Sequence, residues 1–263
     1  MLKFLKNWTL PLAMFAGAIG YFLLANVTIL EPAKPFVNWL IAVLTPFLIF
    51  AQLLLTFCKI EPKELLPKAW HVWLLSIQAV SSGIIALLLI FCPMEEAYRD
   101  IFEGAMVCLI CPTATAAAVI TGKLGGSAST LTTYTLLSNV LAAIAVPLVF
   151  PLVEPHADIT FVVAFLKILS KVFPLLLAPF FIALLFRYYI PSVHRLLSKY
   201  HGVAFYLWAV ALTIVTGQTV RSLVTAAADV SIEIMIALAG LATCCLQFYF
   251  GKRIGSAFHD RIS

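Results

Sequence analysis

The sequence predicts an all-α integral membrane protein with about eight transmembrane helices. Of its 263 residues, 63% are hydrophobic and only 11% are charged, and the mean hydropathy is +1.05, well above that of average soluble domains. The few charges lie between apolar stretches of about 20 residues, the length that a helix needs to cross the hydrocarbon core of a bilayer. These stretches lack the alternation of membrane β-strands.

Seven of the predicted spans contain no Asp, Glu, Lys or Arg: Trp8 to Leu30, Pro35 to Cys58, Ala69 to Met94, Gly104 to Gly122, Leu124 to Val153, Gly202 to Val220 and Ile234 to Gly251. An eighth stretch, Ile159 to Phe186, contains only Lys167 and Lys171. These lysines either reach the lipid headgroups or belong to an amphipathic interfacial segment, Thr160 to Lys171, followed by a span that starts near Val172. The second interpretation is preferred.

The distribution of basic residues predicts the orientation of the chain. If successive helices alternate in direction, 12 Lys and Arg residues lie on one side of the membrane, and only Lys34, Arg99 and Arg221 lie on the other. Cytoplasmic loops carry such an excess of Lys and Arg. Both ends of the chain are therefore expected in the cytoplasm, with the protein in the bacterial inner membrane. This placement accounts for the net charge of +5 without a nucleic-acid partner.

The short loops leave no room for a soluble catalytic domain, and the sequence does not indicate an enzyme. No HExxH motif occurs, and the histidines at positions 71, 156, 194, 201 and 259 lie near the ends of spans. Cysteines 58, 92, 108, 111, 244 and 245 lie within or at the ends of spans. They are interpreted as small apolar side chains rather than as disulfide or zinc ligands.

The segment from Cys111 to Val153 is rich in small and hydroxylated residues. Pro112 lies in the predicted fourth span, where a proline kinks or breaks a helix. Transporters use such breaks as binding sites. The backbone N–H groups from Thr113 through Thr115 to Ala116 would form a new helix start, which suits a carboxylate or sulfate. The alternative is an ordinary proline kink satisfied by the two threonine hydroxyls.

A polar face follows on the next predicted helix. Thr132, Thr135 and Asn139 are spaced by three and four residues, so they share one face, and Ser138 lies beside it. Hydroxyl and amide oxygens are ligands that a hard cation such as sodium accepts, and uncharged groups cost less to bury than a carboxylate. Alternatively, these side chains bond only to their own backbone or to a neighbouring helix.

These motifs resemble those of the bile acid:sodium symporter family. The stretch from Gly104 to Pro151 is similar to the family's fourth and fifth helices in its Cys-Pro pair, the Thr-Ala after it, the basic turn at Lys123 and the Thr/Ser-rich fifth helix. Gln78, within LSIQAVSSG, lies where the family has a glutamine that helps to bind sodium. The resemblance extends over nearly the whole chain in the order of helices, although elsewhere it is only one of hydropathy.

The resemblance implies an inverted-repeat (5+5) secondary-transporter fold. Residues 1–153 would form the first five-helix repeat, and residues 154–263 an incomplete second repeat of helices six to eight, with the last two helices missing. Helices 1, 2, 6 and 7 would form a panel, and helices 3, 4, 5 and 8 a core in which the fourth helix is broken. Substrates of the family are organic anions, usually moved inward with sodium.

The expected function is therefore secondary active transport of a small organic anion. The expected substrate-binding residues are Thr113, Thr115, Ala116 and Asn139. The expected sodium ligands are Gln78, Thr132, Thr135 and Ser138, and no cofactor other than sodium is predicted. The alternatives are an incomplete or degenerate membrane subunit without transport activity, and an arsenite carrier that uses the thiols of Cys108 and Cys111.

Two departures from the family pattern concern the expected sodium-binding sites. Ala117 and Ala118 stand where the family has a serine and an asparagine that bind sodium. The missing helices would also carry the family's acidic and Gln-Asn motif. The comparison therefore implies weak sodium binding or a single sodium site, with protons or the anion gradient as the alternative driving force.

Overall fold

The structure is a computed structural model that describes residues 8–59, 66–114, 117–118, 120–121, 125–155, 159–199, 203–225 and 230–258. The regular elements in this part of the chain are helical, and it contains no strand. The α-helices are α1 (Thr9–Asn26), α2 (Lys34–Phe57), α3 (Ala69–Phe91), α4 (Glu96–Ile110), α5 (Ala128–Val153), α6 (Phe161–Tyr189), α7 (Pro191–Lys199), α8 (Val203–Thr225) and α9 (Val230–Ala257). A 3-10 helix, Thr28–Ala33, joins α1 to α2.

Seven of these helices are long and apolar enough to cross a membrane, as counted within the described ranges: α1, α2, α3, α5, α6, α8 and α9. The predicted class, an all-α membrane protein, is confirmed. The predicted number of eight spans is not confirmed, because the stretch from Gly104 to Gly122 is not one continuous helix. Instead, α4 starts at Glu96, in a charged segment rich in helix-forming residues, and it ends at Ile110.

The helix α5 shows the inside-out polarity that is expected in a lipid environment. Most of its hydroxyl and amide side chains are buried, and Ser138 is fully inaccessible. In contrast, the apolar side chains of Ile144 and Leu148 are 57% and 46% exposed. Lipid tails favour apolar surfaces, while polar groups must find partners inside the protein.

The helix α6 is continuous from Phe161 to Tyr189 and has no boundary near Val172. The preferred interpretation of Thr160 to Lys171 as a separate interfacial segment is therefore wrong. Pro174 and Pro179 lie inside the helix without ending it. A proline removes one backbone hydrogen bond, whereas stopping the helix would leave several backbone groups without partners.

The chain divides into two compact units. Unit 1 comprises Met1–Lys59 and Ile182–Ala227, and unit 2 comprises Ile60–Phe181 and Ala228–Ser263. Unit 1 thus contains α1, α2, the end of α6, α7 and α8. Unit 2 contains α3, α4, α5, most of α6, and α9.

In unit 1, α1 and α8 touch through their backbones. A Cβ atom built on Gly17 would lie 2.2 Å from the carbonyl oxygen of Thr213, and one built on Gly217 would lie 3.0 Å from the carbonyl oxygen of Gly17. Glycine at positions 17 and 217 therefore permits this close approach, as small residues do in other membrane helix pairs. The helix α8 also packs against α2, where the guanidinium of Arg221 donates to Oδ1 of Asn38 at 2.8 Å.

The amphipathic helix α7 contacts the end of α2 in unit 1. The hydroxyl of Ser198 lies 3.0 Å from the backbone carbonyl oxygen of Cys58 and 2.7 Å from that of His194. The imidazole of His194 also bonds to the backbone of Cys58. Carbonyls at a helix end lack helical partners, so these two side chains of α7 stabilise the end of α2.

The stability of this contact is expected to depend on pH through His194. Burial, and then the positive charge of Arg187, lower the pKa of His194 below its ordinary value of 6.5, although its bond to Cys58 raises it. Below pH 6.5 the unfolded chain then binds more protons than the folded chain, so stability falls as the pH drops through the lowered folded pKa. We expect His194→Gln to weaken this fall in thermal unfolding measured between pH 7.5 and 5. An identical fall in both proteins would contradict the assignment.

In unit 2, α4 packs against α3 and α9, and α3 also packs against α5. A buried apolar cluster of Ala86, Leu89, Met106 and Val153 joins α3, α4 and α5. Beside it, the guanidinium of Arg99 donates to the backbone carbonyls of Leu89 and Val153 and pairs with the carboxylate of Glu103 at 2.9 Å. Arg99 thereby holds the C-terminal ends of α3 and α5 against α4, where a cation also complements the helix dipoles.

Candidate functional site

The helix α4 ends at Ile110, two residues before Pro112, so the predicted break in the fourth span is confirmed. Cys111 has φ −57° and ψ 134°, the extended conformation favoured for a residue before proline. Residues 112–114 are not helical. Because Pro112 has no N–H group, the carbonyl of Cys108 lacks its usual helical partner.

A side chain from α3 bonds to the broken end of α4. The amide Nε2 of Gln78 donates to the carbonyl oxygens of Ile110 and Cys111, at 3.1 and 3.2 Å. Gln78 is buried, where an unpaired backbone carbonyl costs about 1–3 kcal/mol. This glutamine therefore replaces backbone partners that the break removes.

The helix α5 contacts the same break through Ser138. The hydroxyl of Ser138 donates to Oε1 of Gln78 at 3.2 Å and accepts from the backbone N–H of Thr113 at 3.4 Å. The hydroxyl of Thr113 in turn bonds to that of Tyr134, one turn earlier on α5. The residues after the break are thus held by α5, while the residues before it are held by α3.

A third helix of unit 2, α9, supplies a partner that the sequence analysis missed. The amide Nε2 of Gln247 donates to the carbonyl oxygen of Cys108 at 3.4 Å. This carbonyl is the one that loses its helical partner at Pro112. The available signal was a lone glutamine in the uncharged predicted span from Ile234 to Gly251, since amide side chains in membrane helices form hydrogen bonds to neighbouring helices.

The structure brings two of the four predicted sodium ligands, Gln78 and Ser138, into direct contact. The other two, Thr132 and Thr135, are buried on α5 and donate to the backbone carbonyls four residues earlier, at 2.9 and 3.0 Å. This is the own-backbone bonding that the sequence analysis kept as an alternative. Each hydroxyl oxygen still has a lone pair with which it can bind a cation.

The predicted substrate-binding residues divide into three cases. Thr113 lies at the break, bonded to Ser138 and Tyr134. Thr115 and Ala116 lie outside the described residues. Asn139 is only 1% exposed, and its Nδ2 has no hydrogen-bond partner in the described part of the chain. A buried amide donor without a partner is costly, which makes Asn139 a candidate to bind an acceptor group of a ligand.

The helices define the chain as a multi-pass α-helical membrane protein. A scan against models of known protein families finds no match, and a search of curated proteins finds none either. Membership of the bile acid:sodium symporter family therefore stays a prediction that rests on the residues named above.

Proposed function

We propose that the chain is a secondary active transporter of a small organic anion. The observation that carries this proposal is the break at Pro112, where side chains from α3, α5 and α9 replace the missing backbone partners. Irregular backbone in a membrane protein occurs where it is buried or lines a cavity, and transporters bind substrates at such breaks. Three separate helices that support one break favour a maintained binding site over an incidental kink.

The polar groups around the break suit an uncharged site that binds an anion by hydrogen bonds. One donor there has no partner among the described residues: the buried amide Nδ2 of Asn139. A carboxylate or sulfonate accepts strong hydrogen bonds from neutral donors. A neutral site also releases its ligand more readily than a buried cation would.

The grouping of helices supports an alternating-access mechanism. Of the predicted panel, helices 1, 2 and 7 belong to unit 1, whereas most of helix 6 (Ile159 to Phe186) belongs to unit 2. The predicted core helices 3, 4, 5 and 8 also belong to unit 2. Many secondary transporters work by the movement of one such group against another around a fixed site. The candidate site of this protein lies within unit 2.

We further propose that sodium, if it drives transport, binds at one site. The side chains of Ala117 and Ala118 offer no oxygen. This leaves four ligands: Gln78, Ser138, Thr132 and Thr135. Sodium-dependent uptake is then expected to show a Hill coefficient near one. A Hill coefficient near two with high sodium affinity would contradict this part of the proposal.

The transport proposal is tested with the purified protein in liposomes, with an inward sodium gradient and a panel of radiolabelled carboxylates and sulfonates that includes taurocholate. At least one anion should accumulate above the level in protein-free liposomes. Gln78→Ala should lower that uptake by about tenfold or more, equivalent to about 1.4 kcal/mol. Absence of uptake for the whole panel would favour a membrane subunit without transport activity.

The matched control is Cys111→Ala. Cys111 contributes its backbone carbonyl to the bond with Gln78, and alanine keeps that carbonyl. Uptake by this variant should therefore stay close to that of the unmodified protein. Equal losses in both variants would indicate a general packing defect, and the assignment of Gln78 to the site would be withdrawn.

A further inference from the structure

Unit 1 contains a cavity of about 510 Å³. The cavity lies between the C-terminal halves of α1 and α8 and the first two turns of α2, and all its lining residues belong to unit 1. Its volume is within the range of roughly 300–1,000 Å³ that is typical of small-molecule sites. The cavity shares no residue with the Gln78 network, so an inference from it is independent of the proposed transport function.

The spacing of glycines explains why the cavity forms. At Gly17 the backbones of α1 and α8 are in contact, whereas a Cβ atom on Gly20, less than one turn later, would meet no atom within 4 Å. The space beside Gly20 is therefore open. Beyond it, the walls are mainly apolar, with the side chains of Leu24, Val37 and Ile41 among them.

The polar groups of the cavity carry a net positive charge. Arg221 donates to Asn38 at 2.8 Å and forms no ion pair with any residue in the described ranges. Lys34 pairs with Glu31 at 3.5 Å, but the two side chains are 39% and 62% exposed, and exposed pairs of this kind are weak. Two cations thus face one carboxylate, and most of the N–H groups of Arg221 remain available.

From these features we propose that the unit 1 cavity binds an amphipathic anion, with a carboxylate or phosphate head at Arg221 and Lys34 and an apolar chain along α1 and α2. A guanidinium with free N–H groups fits the two oxygens of such a head group. The apolar walls would stay uncovered with a small inorganic anion. Either a free long-chain carboxylate or the head of an anionic phospholipid has this chemistry.

Equilibrium binding of radiolabelled laurate to the whole protein in phosphatidylcholine nanodiscs tests the proposal, with empty nanodiscs as the background. The unmodified protein should bind laurate saturably. Arg221→Gln should weaken binding by about tenfold, and Arg221→Lys should restore part of it. Gly20→Leu should also weaken binding, because its side chain would fill the open space.

The control is Gly251→Leu on α9. A Cβ atom at Gly251 also meets nothing within 4 Å, but this residue lies in unit 2, so laurate binding should be unchanged. Thermal unfolding of each variant verifies that it is folded. The proposal is overturned if Arg221→Gln, folded like the unmodified protein, binds laurate equally well, or if uncharged dodecanol competes as strongly as laurate.

The lipid composition of the nanodiscs distinguishes the two sources of the anion, a phospholipid head group and a free carboxylate. If a phospholipid head occupies the site, nanodiscs that contain phosphatidylglycerol should weaken laurate binding to the unmodified protein, and Arg221→Gln should abolish this competition. If the ligand is a free carboxylate, laurate affinity should be the same in both kinds of nanodisc.

Discussion

Gln78→Leu is expected to lower the free energy of unfolding by about 2 kcal/mol or more, the largest effect among substitutions at the candidate site. Leucine is close to glutamine in size, but it cannot bond to the carbonyls of Ile110 and Cys111 or to the hydroxyl of Ser138. Polar contacts between membrane helices average about 0.6 kcal/mol each, and unpaired buried carbonyls add to that loss. Thermal unfolding in detergent measures the effect.

Ser81→Ala provides the matched control on the same helix. The hydroxyl of Ser81 donates to the carbonyl of Gln78 within α3, so this variant removes a local bond and leaves the break intact. Its expected loss is below about 0.5 kcal/mol. If both variants unfold at the same temperature as the unmodified protein, the break does not depend on Gln78 for its stability.

Gly17→Ala is expected to destabilise unit 1 by about 3 kcal/mol, at the upper end of the cost of overpacking. The added methyl group would lie 2.2 Å from the carbonyl oxygen of Thr213 and 3.1 Å from the backbone nitrogen of Gly217. Both are backbone atoms of α8, so no side-chain rotation can relieve the clash. The two helices would have to separate, which thermal unfolding in detergent should detect as a lower transition temperature.

Gly20→Ala makes the same chemical change on the same helix with the opposite expected result. Its methyl group meets open space, and alanine is favoured over glycine in a helix by about 0.5–1 kcal/mol. This variant should therefore be as stable as the unmodified protein or slightly more stable. A similar loss of stability at both positions would show that neither glycine can be replaced by alanine. The backbone contact at Gly17 would then not explain the destabilisation.

The sequence predicted those features that depend on local chemistry. Pro112 in an apolar stretch predicted the break, because proline lacks the N–H group whatever its surroundings. The spacing of Thr132, Thr135 and Asn139 predicted a shared face on α5, and the structure buries all three. Apolar composition alone, however, overestimated the length of the continuous helix in the fourth span, since composition does not show where a helix ends.

Features that depend on distant pairs of residues could not be predicted in the same way. Gly17 and Gly217 are ordinary glycines in their own helices, and only the packing of α1 against α8 gives them a role. Gln247 likewise finds its acceptor on another helix. One sequence alone does not specify which helices are neighbours, so the partner of a lone amide stays undetermined until the helices are placed.

The bond between Gln247 and Cys108 has a consequence for how the protein is made, because it joins residues 139 positions apart. At roughly 5–20 residues per second, a ribosome produces the carbonyl roughly 7–28 s before its amide partner. Gln78 is already made when Cys108 is made, and Ser138 follows well before Gln247, so both can bond to the other backbone groups at the break during that interval. The contact from α9 is therefore the last of these contacts at the break that can form during synthesis.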